Sequence, residues 1–483
     1  MSTTPQTPLN LDNIQGDIIQ GLLKKVERYV FLTIKDVELF RAGLQQLAPA
    51  ITTATQVKQE REMIKQHKAD RKTHLLPITG INIAFSRFGL NKLGLTEDIN
   101  DAAFTKGQLN DARPTSDLTK PGLGDPFDEL SRDPKWIPEF KKQIDLVILI
   151  SGNCEEGLEE RAAEIRQFFG VGTPQQSIEQ IYQLQGNVRP EPENGHEHFG
   201  FMDGISQPAI ENFDIPFPGQ KTVPAGVILM GNDLGDISPG KVPTHPDWTK
   251  DGSFLVFRKL AQLVPEFNDF LAKNPIVLPG LTPEAGSEFL GARMMGRWKS
   301  GAPIDITPLK DDPQLADDAE RNNNFNYSDT LNVQDRCPFT AHIRKTNPRD
   351  DLGDVAMKPR RIIRQGIPYG PEVTAEEKLS NKTAYDRGLA FVCYQSSIDN
   401  GFHFIQESWA NNIQFPFGKL VTKPGFDPII GMKGNDTRDF TGFDPQAQDK
   451  SLTETIDFVV PQGGEYFFSP SIKTLKEVLA KSA

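Results

Sequence analysis

The sequence predicts an α+β fold built from two related halves, and three observations support this prediction. Short segments rich in β-branched and aromatic residues recur along the chain. Two such segments in each half are followed by a stretch whose apolar residues repeat at helical spacing. The two halves share this order of strand and helix segments but not the identity of their residues. We therefore expect two domains, residues 1–215 and 216–483.

The first half contains three strand candidates and two helix candidates. Strands are expected at residues 29–34, 81–86 and 144–150, and the second of these alternates large apolar with smaller or polar residues, as a half-buried strand does. Helices are expected after the first and third strands. Their apolar residues fall on one face, which carries Phe40, Leu44 and Leu47 in the first helix and Leu158, Ala162, Ile165 and Phe169 in the second.

The second half repeats the same order of elements. A strand is expected at residues 253–258, followed by a helix that carries Phe267 and Leu271. Another strand is expected at residues 388–394, followed by a helix at residues 402–410.

Charge and composition exclude several classes of protein. The net charge of −12 and the pI near 5.2 would repel nucleic acid and anionic membranes, so neither is expected as a partner. Cys154, Cys337 and Cys393 are too widely spaced to indicate a disulfide framework or a CxxC metal site. No signal peptide or transmembrane segment is visible, which predicts a cytoplasmic protein, or a secreted one if the sequence is a mature form.

The segment EHFGFMDGIS at residues 197–206 is the most informative local motif. Gly200 and Gly204 bracket Asp203 among aromatic and aliphatic neighbours. An Asp between glycines is by itself most often a turn residue. Further downstream, CPFTAHIRKTNPR at residues 337–349 contains His342, and RRIIRQGIPYG at residues 360–370 contains Arg364.

These motifs resemble those of the dye-decolourising peroxidases, and the order and separation of the three segments fit that family. The segments GLAFVCYQ at residues 388–395 and GGEYFF at residues 463–468 also fit. The resemblance extends from Leu9 to the C-terminal helix and is closest to the longer, fungal-type members. We therefore identify the chain, from its sequence, as resembling a DyP-type haem peroxidase.

The resemblance implies a fold and an activity. It implies two ferredoxin-like domains with antiparallel sheets, of the dimeric α+β barrel type, with haem between the sheet and the helices of the second half. The first half would end in the loop that carries Asp203. Such an enzyme uses hydrogen peroxide to oxidise dyes, phenolics and other aromatic donors through a ferryl intermediate. One non-covalent haem b is expected, since the sequence has no CxxCH motif for thioether attachment.

The resemblance also assigns roles to individual residues. Among seven histidines, four lie in charged surface, loop or helix-start segments, which leaves His196, His198 and His342, and the resemblance selects His342 as the axial iron ligand. Asp203 would be the base that moves the peroxide proton, and its reference pKa of about 3.9 predicts activity in acid. Arg364 would offset the charge that develops during cleavage. Leu389 and Phe391, two apart on a strand, would form an apolar wall of the haem pocket.

Two further roles each have two candidates. A proximal histidine usually donates its second N–H to a carboxylate or carbonyl, and the candidates for that partner are Glu407 and Asp427. Bulky dyes cannot enter a buried haem pocket, so their oxidation would require a radical site near the surface. Trp409 and Tyr394 are the candidates for this relay.

Two other functions remain as alternatives. His196, His198 and Asp203 form a ligand-like set that a mononuclear non-haem metal enzyme could use. A haem-binding or iron-handling protein without turnover would need His342 but neither Asp203 nor Arg364. The sequence leaves open whether Mn(II) is a substrate and which oligomer forms.

Overall fold

A closed β-barrel assembled from four strands of each half forms the centre of the molecule. The computed structural model describes residues 8–72, 76–115, 122–238, 240–421 and 423–481. The barrel strands are β1 (Val26–Ile34), β2 (Thr79–Ser86), β3 (Leu146–Gly152), β4 (Ile178–Asn187), β5 (Ser253–Gln262), β6 (two short pieces, Ile363–Arg364 and Ile367–Tyr369), β7 (Gly388–Gln395) and β8 (Val459–Ser469). Two small ladders lie outside the barrel, Ala209–Ile210 with Thr222–Val223 and Arg438–Phe440 with Leu452–Glu454.

Each half is an antiparallel sheet with the same strand order. The first sheet runs β4–β1–β3–β2 and the second runs β8–β5–β7–β6, so the same topology occurs twice. The sheets join at two seams, where β2 pairs with β8 and β4 pairs with β6. Closure leaves both sheets without a long free edge. The predicted pair of ferredoxin-like sheets of the dimeric α+β barrel type is confirmed.

Helices cover the outside of the barrel. The α-helices are Gly16–Ile19, Val37–Leu47, Ala54–Ala69, Arg87–Lys92, Ala102–Lys106, Gln108–Ala112, Glu155–Phe168, Val264–Lys273, Pro283–Met295, Pro313–Asp317, His342–Thr346, Asp354–Met357, Ala375–Ser380, Phe402–Phe404 and Ile472–Thr474. The last two continue as π-helical turns, Ile405–Ala410 and Leu475–Leu479.

The helix after β1 shows why these segments fold as they do. It begins at Asp36, whose carboxylate accepts the N–H of Leu39 and so satisfies one free donor of the first turn. Phe40, Leu44 and Leu47 are buried, as their helical spacing predicts.

Aromatic side chains fill the inside of the barrel. The ring of Phe31 on β1 lies 4.8 Å from Phe257 on β5 and 5.0 Å from Phe140. The barrel interior is therefore a packed core, and a ligand site must lie outside it. No helix in the described part of the chain is long and apolar enough to cross a membrane.

Candidate active site

A large cavity lies against the outer face of the second sheet. Alternation along β5 and β7 turns Phe257 into the barrel and points Leu260, Leu389 and Phe391 outward into this cavity. The cavity contains about 1900 Å³ of empty space, its mouth included. The helical segment 402–410, the helix His342–Thr346 and the loop around Asp203 complete the walls.

The loop that carries Asp203 is held by main-chain contacts. The buried carboxylate of Glu197 accepts the N–H groups of Phe199 and Phe201, each at 2.9 Å. Gly200 and Gly204 have φ angles of +92° and +81°, and residues with a Cβ adopt such angles only with strain. The glycines of the GxxDG motif therefore set the path of the loop that projects Asp203 into the cavity.

Asp203 and Arg364 form an ion pair in the cavity wall. Nη1 of Arg364 lies 2.7 Å from Oδ1 of Asp203, and the N–H of Gly204 donates to the same oxygen at 2.6 Å. Burial disfavours the carboxylate, but the Arg364 guanidinium, the Gly204 N–H and His342 outweigh burial and hold the pKa of Asp203 below its usual value. Asp203 is therefore ionised even at acidic pH.

His342 and Asp427 form a second pair on the same cavity. Nδ1 of His342 lies 2.9 Å from Oδ2 of Asp427. The other oxygen of Asp427 accepts the N–H groups of Ile429 and Ile430, at 2.8 and 3.0 Å. Burial works against the charge on Asp427, but His342 and the two N–H groups outweigh burial and lower the pKa of this carboxyl. The carboxylate thus fixes the imidazole and leaves its Nε2 directed away from Asp427.

Glu407, the other candidate partner of His342, lies in a different contact. Its carboxylate is 3.3 Å from Nε2 of His403 and accepts the N–H of Gly122 at 3.4 Å. Of the two carboxylates considered from the sequence, only Asp427 contacts His342 in this structure.

Neither candidate for a surface radical site is exposed. Trp409 is 3% exposed and stacks on Phe415, and Tyr394 is fully buried. Tyr394 points into the barrel, where its hydroxyl donates to Asp17 at 2.8 Å, so it lies on the face of β7 opposite the cavity. Direct contact between either ring and a bulky dye is therefore excluded by burial.

The alternative non-haem metal set is not assembled. His198 is buried, and its Nε2 lies 2.9 Å from the carbonyl of Tyr369. Burial lowers the pKa of His198 to about 4. Within the described ranges, no group of three or more His, Cys, Asp or Glu residues could hold a metal ion, the set of His196, His198 and Asp203 included.

Three residues that line the cavity together with Asp203 and Arg364 were not assigned to the site from the sequence. The carbonyl of Ser206 accepts a hydrogen bond from Nη2 of Arg364 at 3.3 Å, and Gln207 contacts the main chain of Arg364. Arg361 lines the cavity with Asn347 as its hydrogen-bond partner. A search for polar residues directly after the GxxDG motif would have found the first two.

Comparison with known proteins assigns the family. Residues 13–190 match the model of the DyP dimeric alpha+beta barrel domain, and residues 236–415 match that of the Dyp-type peroxidase C-terminal domain. A dye-decolorizing peroxidase of Mycena epipterygia is 44% identical over 98% of this chain and 87% of that protein.

Solved structures agree with this match. An ancestral D-type dye decolorizing peroxidase superposes with a TM-score of 0.91 at 55% identity and covers 98% of this chain and 100% of that one. A dye-decolorizing peroxidase in complex with 2,6-dimethoxyphenol has a TM-score of 0.85 at 45% identity, with 98% and 100% covered.

The fold and these matches define the class as an α+β barrel enzyme of the haem-dependent peroxidases. This chain belongs to the dye-decolourising, or DyP-type, peroxidase family.

Proposed function

We propose that this peroxidase binds one non-covalent haem b through His342 and activates hydrogen peroxide with Asp203 and Arg364. The observation that supports this proposal is that two pairs, Asp203 with Arg364 and His342 with Asp427, line one large cavity. An imidazole fixed by a carboxylate suits ligation of haem iron, and a carboxylate paired with a guanidinium suits the proton transfer that peroxide cleavage needs.

The residues present fit a haem. With Nδ1–H of His342 donated to Asp427, the lone pair of Nε2 is free to ligate iron, and among the described residues no hydrogen bond engages Nε2. Burial lowers the pKa of Arg361 to about 10, and no carboxylate in the described part of the chain forms a salt bridge with it. Arg361 therefore suits an anionic propionate, while Leu389 and Phe391 suit an apolar ring.

The chemistry assigned to the protein is proton transfer and charge stabilisation. Bound haem supplies the redox-active iron. Asp203 takes the proton from one peroxide oxygen and returns it to the other, which leaves as water. Arg364 holds Asp203 ionised and stabilises the negative charge that develops on the leaving oxygen. The apolar side chains of Leu389 and Phe391 keep additional water away from this transfer.

The reducing substrates are aromatic. The relative described above binds 2,6-dimethoxyphenol, and we propose that this chain oxidises phenols of that kind and aromatic dyes. Mn(II) is the weaker candidate for a reducing substrate, because the described residues contain no cluster of three or more His, Cys, Asp or Glu side chains that could hold a metal ion.

We propose that the boundary between the two domains lies between residues 215 and 216. This division leaves four barrel strands in each half and gives the loop of Asp203 to the first half. His342 and Arg364 belong to the second half, so the haem would be held mainly by the second half and capped by the first.

An absorption spectrum of the haem-loaded protein before and after one equivalent of hydrogen peroxide tests the proposal. We expect a Soret band that changes rapidly with peroxide, loss of haem in His342→Ala, and conversion slowed by 10²–10⁴-fold in Asp203→Asn. Absence of a Soret band after haem loading contradicts the proposal. A Soret band that peroxide leaves unchanged indicates a haem carrier without turnover instead.

A further inference from the structure

The side-chain amide of Gln207 holds the main chain of Arg364 with two hydrogen bonds. Nε2 of Gln207 donates to the carbonyl of Arg364 at 2.6 Å, and the N–H of Arg364 donates to Oε1 of Gln207 at 3.1 Å. One side chain thus satisfies both main-chain polar groups of one residue, as a neighbouring strand would.

The position of Arg364 in the sheet explains why such a partner is needed. Arg364 lies on β6 opposite Cys393 of β7, while its own N–H and C=O face the other side. On that side β4 pairs with β6 only at Gly186 and Tyr369, so the seam is open at the level of Arg364. Gln207 fills this part of the seam and replaces the missing ladder partner.

The first half contains the same device at the equivalent strand. Gln15 donates through Nε2 to the carbonyl of Ile83 at 2.9 Å and accepts the N–H of Ile83 at 2.8 Å. Ile83 lies on β2, the second strand of the first sheet, as Arg364 lies on the second strand of the second sheet. The two clamps are related by the repeat, but only the clamp of Gln207 holds a residue of the proposed site.

We propose that Gln207 is a positioning residue that sets the distance and angle between Arg364 and Asp203. Asp203 and Gln207 lie on one loop, four residues apart, so this loop contacts Arg364 at two points. Asp203 and the carbonyl of Ser206 hold the guanidinium, and Gln207 holds the main chain. The Gln220 side chain anchors the clamp by donating to the carbonyl of Gln207 at 3.0 Å.

The consequence for catalysis follows from geometry. Without the clamp, β6 can shift in the open seam, and the guanidinium moves relative to the carboxylate. A misplacement of about 1 Å at a reacting centre costs on the order of 10²-fold in rate. This inference depends on the proposed roles of Asp203 and Arg364, and the experiment below includes a variant that tests those roles separately.

The substitution Gln207→Glu gives the sharpest test because it makes the clamp titratable. The protonated carboxyl can still donate to the Arg364 carbonyl and accept its N–H, whereas the carboxylate has no proton to donate and repels the carbonyl oxygen. The charged groups around this site are Asp203, which pairs with the Arg364 guanidinium, Lys24, which donates to the carbonyl of Gln365, and Lys221 in the cavity lining.

The measurement is the rate of peroxide-dependent Soret change in the haem-loaded protein, expressed as the ratio of variant to wild type from pH 3 to pH 8. We expect a ratio within about threefold of one at the acid end, falling by 10–100-fold above the carboxyl pKa. Crystals of the variant at the two ends should show the 2.7 Å contact between Arg364 and Asp203 at acidic pH and its lengthening at neutral pH.

Two further variants keep the outcomes distinct. Gln207→Asn keeps the amide but is too short to reach, so its ratio should be low at every pH, and a ratio near one overturns the inference even if Gln207→Glu fails to fold. Gln15→Asn should lower the melting temperature without changing the ratio. If the ratio for Gln207→Glu does not change with pH while Asp203→Asn is inactive, only the inference about the clamp is overturned. Wild-type rates in Asp203→Asn overturn the proposed function itself.

Discussion

Nδ1 of His403 lies 2.7 Å from the carboxylate of Asp111, and this contact ties the wall of the cavity to the first half of the chain. The helical segment 402–410 contributes Phe402 and Ile405 to the cavity, and Asp111 belongs to the helix Gln108–Ala112. Burial disfavours the imidazolium, but the carboxylates of Asp111 and Glu407 outweigh burial and raise the pKa of His403 to about 10. The histidine is therefore a cation that links two elements.

This cation predicts how stability depends on pH. Its folded pKa of about 10 lies above the unfolded value of about 6.5, so its stabilisation is complete below pH 6.5 and is lost as the pH rises towards 10. The free energy of unfolding should fall by on the order of a few kcal/mol, since a shift of one pKa unit corresponds to about 1.4 kcal/mol. Thermal unfolding at several pH values should show a steeper alkaline decline in wild type than in His403→Gln. Parallel declines would show that His403 does not carry this linkage.

The Asp203–Arg364 pair predicts the acid limit of activity. Because the pKa of Asp203 is depressed, the carboxylate is retained well into acid and is lost only as the pH falls through the lowered value. In Arg364→Leu the chief opposing charge is removed, so the pKa of Asp203 should rise and the acid limb of kcat/KM for peroxide should move to higher pH. The surface substitution Arg161→Leu, on a helix of the first half, is the control. An unchanged acid limb in Arg364→Leu would mean that another group titrates.

The contact between His342 and Asp427 predicts a loss of haem affinity. Asp427→Asn keeps an oxygen for the N–H groups of Ile429 and Ile430 but removes the negative charge behind the imidazole. Loss of such a partner typically weakens metal binding by about 10–100-fold. Haem titration followed by the Soret band measures this affinity. Glu407→Gln, which changes a carboxylate that does not contact His342, should bind haem as wild type does. Equal haem affinities in wild type, Asp427→Asn and Glu407→Gln would show that Asp427 does not support haem binding.

Much of the fold could be predicted from the sequence because buried strands and helices have clear periodicity. The expected strand at residues 29–34 is part of β1, and the strand expected at 144–150 is β3 shifted by two residues. The strand β4 was missed because Ile178, Leu184 and Gly186 are its only buried residues, so no apolar run marks it. Its position is fixed by pairing along β1, which a local pattern cannot reveal.

The site was harder to predict where it depends on contacts that are distant in sequence. The motifs indicated Asp203, His342 and Arg364, but Asp427 could not be chosen over Glu407, because 85 residues separate it from His342. Burial was also misjudged at Trp409, since a single Trp among polar residues carries no signal of its exposure. Such features follow from tertiary packing, which a local sequence pattern does not encode.

The aromatic cluster inside the barrel predicts a large contribution to stability. Phe31 is fully buried and its ring contacts those of Phe140, Phe257 and Phe467 from other elements. Truncation in Phe31→Ala should cost about 3–5 kcal/mol because it leaves a cavity that neighbouring strands cannot fill. Denaturant unfolding should show this loss, whereas Leu130→Ala, at a side chain that is 96% exposed, should stay within about 0.5 kcal/mol of wild type. A small effect at Phe31 would show that the barrel core relaxes.

The burial of Trp409 changes how its proposed relay must work. The ring of Trp409 stacks on Phe415 with centroids 5.3 Å apart, and Phe415 contacts Phe417, which is 56% exposed. A bulky dye could therefore dock at Phe417 and deliver an electron inward through the ring of Trp409, while a small phenol can enter the cavity itself. Trp409→Phe keeps the stacking but removes the more easily oxidised ring, so kcat for large dyes should fall at least tenfold and kcat for a small phenol should change little. Trp248→Phe, at a ring that packs on Phe468 in a different hydrophobic cluster, should leave both values unchanged. If Trp409→Phe lowers both rates equally, or neither, the relay does not pass through Trp409.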